Sequence, residues 1–288
     1  MTTCDPTRRH VAANRASHLR IDAMPHEPAH PPAGDRPAPQ APDRQPLRVE
    51  VLSAVFQVRT IGDDGTPRLC VLLHDVNGAR DNDNGGSRAT GAPGGPWALP
   101  GGDVGPEETL AQSARRHLAD DLDVAGLAHL EQLSVFSAPH RIPDTRTIAS
   151  TYLGLLPSDA ETTLPDGAVW AQVDTPDRAA SALIYDHGEI IDAARHRLAA
   201  KLSYTNIAFA LAPERFAMSE LSEIYCAAMG YMVDTTNLLR VLSRRAVVVA
   251  TGTVGKTGRS GGRPPALYRF ADSELRVTDE FAALRPPM

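Results

Sequence analysis

One short segment, GGDVGPEETLAQSARRHLADDLDV (residues 101–124), gathers residue types suited to phosphate chemistry. Gly102 opens it, Glu108 follows, and Arg116, His117, Asp120 and Asp121 come next, while Leu110, Ala114 and Leu118 recur at helical spacing on one face. Positions 117, 120 and 121 share another face of that helix. Three carboxylates there would hold Mg²⁺ against a pyrophosphate, where the metal polarises phosphoryl oxygens and activates the attacking water. Here His117 removes one hard oxygen ligand, and Asp120 and Asp121 are each a methylene shorter than glutamate. Magnesium demands near-octahedral oxygen geometry at ~2.0–2.1 Å, so these changes weaken the site. Glu108, Asp120 and Asp121 are the residual catalytic candidates, with Asp120 and Asp121 as a weak metal pair. The bland reading is a structural helix with solvated carboxylates.

A second cluster suits a different polyanion. The chain of 288 residues has a net charge of −6, which argues against a surface coated in positive charge. Residues 235–271 nevertheless hold seven basic side chains and no acidic one, so the remainder carries −13. Thr236, Asn237, Arg240 and Arg244 fall on a short helix; Lys256, Arg259 and Arg263 fall on a glycine-rich turn, GKTGRSGGR. An asparagine can read adenine and an arginine guanine, each with two hydrogen bonds. The glycines let a hairpin tip approach a phosphate backbone closely.

The elements that must position these residues follow from pattern. Residues 1–47 hold nine of the 24 prolines and four of the ten histidines without apolar periodicity, and read as a disordered tail. VEVLSAVFQV and LCVLLHDV read as a hairpin of buried strands, followed by a Gly/Asn/Asp-rich loop. WALPGG is a short strand running into a turn, and a helix spans about 106–122 with Pro106 in its first turn. LEQLSVFSA and TIASTYLGLLP add two strands, suggesting an α+β or α/β/α domain whose strands end near Asp174, within a first domain over 48–185. From Asp186 the texture is helical: Asp186 and Glu189 have capping-box spacing, and Ile191, Ala194, Leu198 and Leu202 form a stripe. The linker over 186–212 ends in a short helix, TNIAFALA. Over 213–288, a helix with Leu221, Ile224, Tyr225 and Ala228 inward is closed by Gly230, and Asp234 caps a second helix facing inward through Leu238, Leu239 and Leu242. AVVVATGTV and ALYRF close a two-stranded hairpin, completing a winged helix-turn-helix.

These features together carry a family resemblance. Gly102, Glu108, Arg116, Leu118 and Val124 match the Nudix box, which departs at His117, Asp120, Asp121 and Asp123. ALIYDHGEII, through Asp186, His187 and Ile190, the junction KLSYTNIAFALAPERF, the pair Asn237 and Arg240, and GRPPALYRF extend the match. Over about 48–271 the chain resembles the Nudix-related transcriptional regulators of NAD metabolism, the NrtR-type repressors. It departs from them at Leu238 and Leu239, where Phe and Arg are preferred, and at Ala217, in place of a Thr cap.

The resemblance implies an α/β/α Nudix-like sandwich followed by a winged helix. It also implies a homodimer on a palindromic double-stranded DNA operator, and a Nudix domain kept as a sensor of ADP-ribose or a related nucleotide. Arg116 is expected to serve a structural ion pair. Arg141 and Arg146, in APHRIPDTRT, suit a diphosphate, and Tyr152 or Trp97 suits stacking on a base. No cofactor is required on this reading, with Mg²⁺ as an optional ion. The alternative is a Mg²⁺-dependent pyrophosphatase acting on ADP-ribose or a similar nucleoside diphosphate. Cys4, Cys70 and Cys226 form no ligand pattern, and neither a secretory signal nor a membrane-length apolar run occurs, so a cytoplasmic location without membrane contact is expected.

Overall fold

The strand β1, Arg48–Thr60, is buried on both faces from residue 50 to 58, and the rest of the fold is assembled around it. A computed structural model describes residues 46–61, 64–76, 96–120, 126–174, 183–255 and 264–279. The expected tail up to residue 45, the 77–95 loop, Asp121 and the turn carrying Lys256, Arg259 and Arg263 lie outside them, as does the Asp120 side chain. Among the described residues, no helix is long and apolar enough to cross a membrane.

β1 pairs antiparallel with β2, Pro67–Asp75, over residues 56–60, and antiparallel with β4, Gly101–Asp103, over residues 50–52. On its other edge it runs parallel to β6, Thr147–Leu155, which carries β5, His129–Phe136, as the outer strand. β3, Trp97–Ala98, pairs with β2. The segment from β3 to β4 therefore crosses from β2 to β1 at Leu99 and Pro100, where β1 and β2 cease to pair. A further strand, β7, Ala168–Gln172, lies along β2. It adds to the strands expected from sequence, although AVWAQV, bounded by the turn residues PDG and DTP, is an apolar run of strand length.

Alternation along β1 assigns the two faces of the sheet. Val51 and Val55 point to one side, with Tyr152, Leu72 and Leu156, and are covered by Ala114 and Leu118 of α1, Leu110–Asp120. Leu52, Ala54, Phe56 and Val58 point to the other side, under α2, His187–Tyr204. α1 begins at Leu110, not near Pro106, for a local reason. Thr109 Oγ1 accepts from the Gln112 N–H while Gln112 Oε1 accepts from the Thr109 N–H, closing a capping box in T-x-x-Q.

α2 buries the predicted stripe, Ile191, Ala194, Leu198 and Leu202, together with His187 and Ile190. The short helix after it is a single 3₁₀ turn, Ile207–Ala210. α3, Met218–Met229, buries Leu221, Ile224, Tyr225 and Ala228 and ends at Gly230, whose φ of +77° suits glycine. At its start Ala217 offers no side-chain cap, and Glu220 instead accepts from the Ala217 N–H. α4, Thr235–Arg244, starts where Asp234 accepts from the Asn237 N–H at 2.7 Å. Leu238 and Leu242 are buried and Leu239 half-buried.

The wing has three strands, not two: β9, Val248–Val254, and β10, Ala266–Phe270, are joined by β8, Phe216–Ala217, on the far edge of β10. A two-residue strand leaves no periodicity to read. α3 packs against both α2 and β2, so one apolar core runs unbroken from Phe56 and Leu73 through Leu198 to Phe216, Leu221 and Leu242.

The sharpest steric constraint sits at Gly101. Its φ is +150°, and a Cβ there would lie 1.9 Å from the Val51 carbonyl oxygen, inside the central strand. Gly101→Ala is expected to cost at least about 3 kcal/mol, read as a lowered urea midpoint. Gly65→Ala, where φ is also positive but nothing lies within 4 Å, should cost far less.

Candidate effector site and nucleic-acid interface

The box residues are held in place from several sides. Arg116 donates from Nε to Glu108 Oε1 (2.7 Å) and from Nη2 to Oε2 (2.8 Å); the Ser113 hydroxyl and the Gly105 N–H also donate to Oε2. The hydrogen bonds from Arg116, then that from Ser113, push the Glu108 carboxyl down to about 2. Arg116 thus serves the ion pair that the resemblance implies. His117 donates to the Asp103 carbonyl at 3.1 Å, and its ring stands where a side chain on Gly102 would be. These described residues do not fit a magnesium site: Glu108 is occupied by donors on both oxygens, and position 117 offers nitrogen in place of oxygen. Among the described residues, no three His, Cys, Asp or Glu side chains converge as a metal-binding group. Asp121 and the Asp120 side chain, expected as a weak metal pair, lie outside the described residues.

A buried charge cluster forms where β1, the β5–β6 loop and the start of α2 meet. The Arg141 side chain, 1% exposed, donates from Nε and Nη2 to the two oxygens of Asp186 (2.8 and 2.7 Å) and from Nη1 to Glu50 (2.6 Å). Burial alone would lower its basicity, but the bonds to Asp186 and Glu50 outweigh it and the net shift is upward. Glu50 also lies 3.7 Å from Arg48, which pairs with Asp103 of β4. Asp186 occupies the N-cap position of α2 yet makes no side-chain cap hydrogen bond. The expected capping role is therefore corrected: the carboxylate is committed to Arg141. Glu50 was missed, although a lone glutamate inside the apolar run of β1 is itself a signal, since a buried charge requires a partner.

His187, the next residue, is 3% exposed. Its Nδ1 accepts from the Leu99 N–H at 2.9 Å, and His74 donates to the Leu99 carbonyl at 3.2 Å. Two imidazoles thus clamp both backbone groups of the residue that crosses from β2 to β1. Burial, with Arg141 and His74 adding to it against the opposing pull of Asp186, pushes His187 down to about 4. It is neutral at pH 7, as an acceptor must be.

The other expected effector residues are dispersed. Arg146 donates to the Ser137, Ala138 and Thr147 carbonyls and, among the described residues, has no ion pair in the structure. Tyr152, 5% exposed, lies in the core beneath α1 with Val51 and Ala114, where no base could stack on it. Trp97 is half-buried against the main core and accepts from the Ile184 N–H.

On the winged helix, Thr236, Asn237, Arg240 and Arg244 are all exposed, and Arg240 donates to Asn237 Oδ1 at 2.6 Å. Among the described residues, the other two basic side chains of this stretch point elsewhere. Arg245 turns back to Asp279 (2.7 Å) and to the Ser203 carbonyl, and Arg269 lines a cavity with Glu214 and Asp272 at the junction with Pro157 and Phe209.

A mixed sheet covered on both faces, continued through a helix into a three-stranded winged helix, defines a two-part protein: a Nudix-like α+β domain and a winged helix-turn-helix. Residues 208–270 match the family model of the NrtR DNA-binding winged helix domain. The chain is 30% identical over 181 residues, 61% of its own length and 70% of the relative's, to the ADPR responsive transcriptional repressor NtrR of Acinetobacter baylyi. It shares its fold with Shewanella oneidensis NrtR at a TM-score of 0.58 and 23% identity, over 77% of this chain and 93% of that one. The structure of that protein with a 27mer DNA matches at a TM-score of 0.58 and 24% identity, with the same coverage. The chain belongs to the NrtR family of Nudix-related transcriptional regulators.

The histidine clamp carries a pH dependence. The folded-state pKa of His187, about 4, lies below its ordinary 6.5. Its stabilisation is therefore complete above 6.5 and is lost as pH falls from 6.5 towards 4. That loss amounts to about 3 kcal/mol at most. Urea midpoints measured from pH 8 to 4 should decline over that window, and His187→Gln, already less stable at pH 8, should show a flatter profile.

Proposed function

We propose that this protein is a ligand-responsive transcriptional repressor that binds double-stranded DNA through α4 and the wing, and whose Nudix-like domain senses ADP-ribose or a related nucleotide. The observation that carries the reading is the outer face of α4. Asp234 fixes the start of the helix, Leu238 and Leu242 fix its roll, and Thr236, Asn237, Arg240 and Arg244 stand exposed with no acidic residue among them. The Arg240–Asn237 hydrogen bond pre-orients a guanidinium and an amide side by side, a pairing suited to adjacent guanine and adenine edges in the major groove. Arg244, one turn on, suits a phosphate.

Family membership supports genes of NAD synthesis or salvage as targets, and a homodimer on a palindromic operator as the binding form. The similarity to the ADPR responsive repressor of Acinetobacter baylyi supports the effector. The occupied Glu108 and the nitrogen at position 117 support a domain that binds a nucleotide without needing to cleave it.

DNA selected from a random pool by the full chain provides the test probe. Arg240→Ala should weaken binding to it by roughly 1–3 kcal/mol and relax the sequence preference at one base pair per half-site. Arg244→Ala should weaken selected and scrambled DNA alike and lower the slope of log affinity against log salt by about 1. Equal binding of wild type and Arg240→Ala to the selected DNA in a fluorescence anisotropy titration would remove α4 as the reader.

A further inference from the structure

The Asp186 carboxylate has two places to go, and the structure shows one of them. It holds Arg141 by two hydrogen bonds, while the N-cap position it occupies on α2 lacks the side-chain bond that D-x-x-E spacing provides. We propose that Arg141 is an anion receptor kept closed by Asp186. A nucleotide diphosphate takes the guanidinium, and the released Asp186 carboxylate caps the first turn of α2. This inference rests on the effector reading given above and names its switch.

Three observations support it. First, the buried Arg141 guanidinium has two carboxylate partners, Glu50 and Asp186, so it keeps one of them when Asp186 leaves, and the paired donors that held Asp186 match an anion of the same paired-oxygen geometry. A phosphate group presents that geometry. Second, both chain segments that bring the pair together adopt left-handed backbone at non-glycine residues, Tyr185 (φ +50°) beside Asp186 and Asp144 (φ +59°) beyond Arg141. Both lie in a backbone region that side chains other than glycine rarely adopt. Third, the first turn of α2 is wired in both directions. His187 holds Leu99 at the approach to the box glycines, and α2 packs on α3, which packs on the reader helix α4. A carboxylate with two satisfied positions supplies the discrete two-state element that coupling between sites requires.

The experiment uses the full chain, ADP-ribose as the probe and the DNA selected by the wild type. Asp186→Asn keeps a good capping side chain but loosens the grip on Arg141. It should bind ADP-ribose about tenfold more tightly by calorimetry, since a closed receptor lowers apparent affinity by the fraction that is open. Its DNA affinity without ADP-ribose should match that of the wild type saturated with it. Glu50→Gln should shift both values in the same direction by less, and Arg141→Gln should lose ADP-ribose binding at least tenfold.

Hydrogen exchange on the wild type reads the cap directly and does not depend on any variant folding: ADP-ribose should raise protection of the Gly188 and Glu189 amides. Wild type that binds ADP-ribose, with folded Asp186→Asn binding it no more tightly, overturns the switch alone, and so does unchanged protection at those amides. Wild type that binds no ADP-ribose overturns the effector reading and the switch with it.

Discussion

The structure turns on one buried guanidinium. Taking the Arg141 charge out of water is costly unless it is paired and hydrogen-bonded, and its two carboxylate partners come from β1 and from the start of α2. That requirement dictates much else. It fixes the β5–β6 loop over the end of the sheet and sets where α2 begins. Through Asp186 and then His187 it also fixes the path of Leu99, and with it the approach to Gly101 and Gly102. The box helix is joined to the same frame from the other side, since Arg116 and His117 both donate to the Asp103 carbonyl while Asp103 pairs with Arg48. A continuous polar scaffold therefore runs from the box to the helix that leads towards the winged helix.

What the sequence disclosed depended on the range of the interaction concerned. Local rules read well: the Leu221, Ile224, Tyr225 and Ala228 face of α3, the Gly230 stop and the Asp234 cap all appear where short-range periodicity and capping chemistry place them. At the start of α1 two local signals compete, Pro106 and the Thr109–Gln112 pair, and the reciprocal bonds of the pair set the boundary. Asp186 was misread for a deeper reason. Capping spacing is a local signal, and the partner that outcompetes it, Arg141, lies 45 residues away in sequence. Tyr152 looked suited to stacking by its type alone, and only the alternation of β6 beneath α1 shows it to be core.

The charge pattern was similarly half-legible. Counting showed that a net acidic chain conceals a basic stretch, and α4 presents Arg240 and Arg244 outward as that count suggested. Arg245 and Arg269 entered the same count but face Asp279 and the interdomain junction. A linear tally assigns charge to a segment, whereas a helix and a strand distribute it over several directions. Among the described residues, the basic side chains exposed on α4 are thus fewer than those counted, and the cap and the buried leucines decide which ones face outward.

The unbroken core between sheet and winged helix has a consequence for heredity as well as for mechanics. Phe216, Leu221 and Leu242 belong to the same apolar interior as Phe56, Leu73 and Leu198, and α3 rests directly on β2. A winged helix built this way is not an independent cassette that recombination could lift onto another protein, because cutting it away would strip apolar surface bare on both pieces. The two halves are instead expected to vary together, because a change of volume on the inner face of β2 requires a matching change on α3 to keep the shared interior filled.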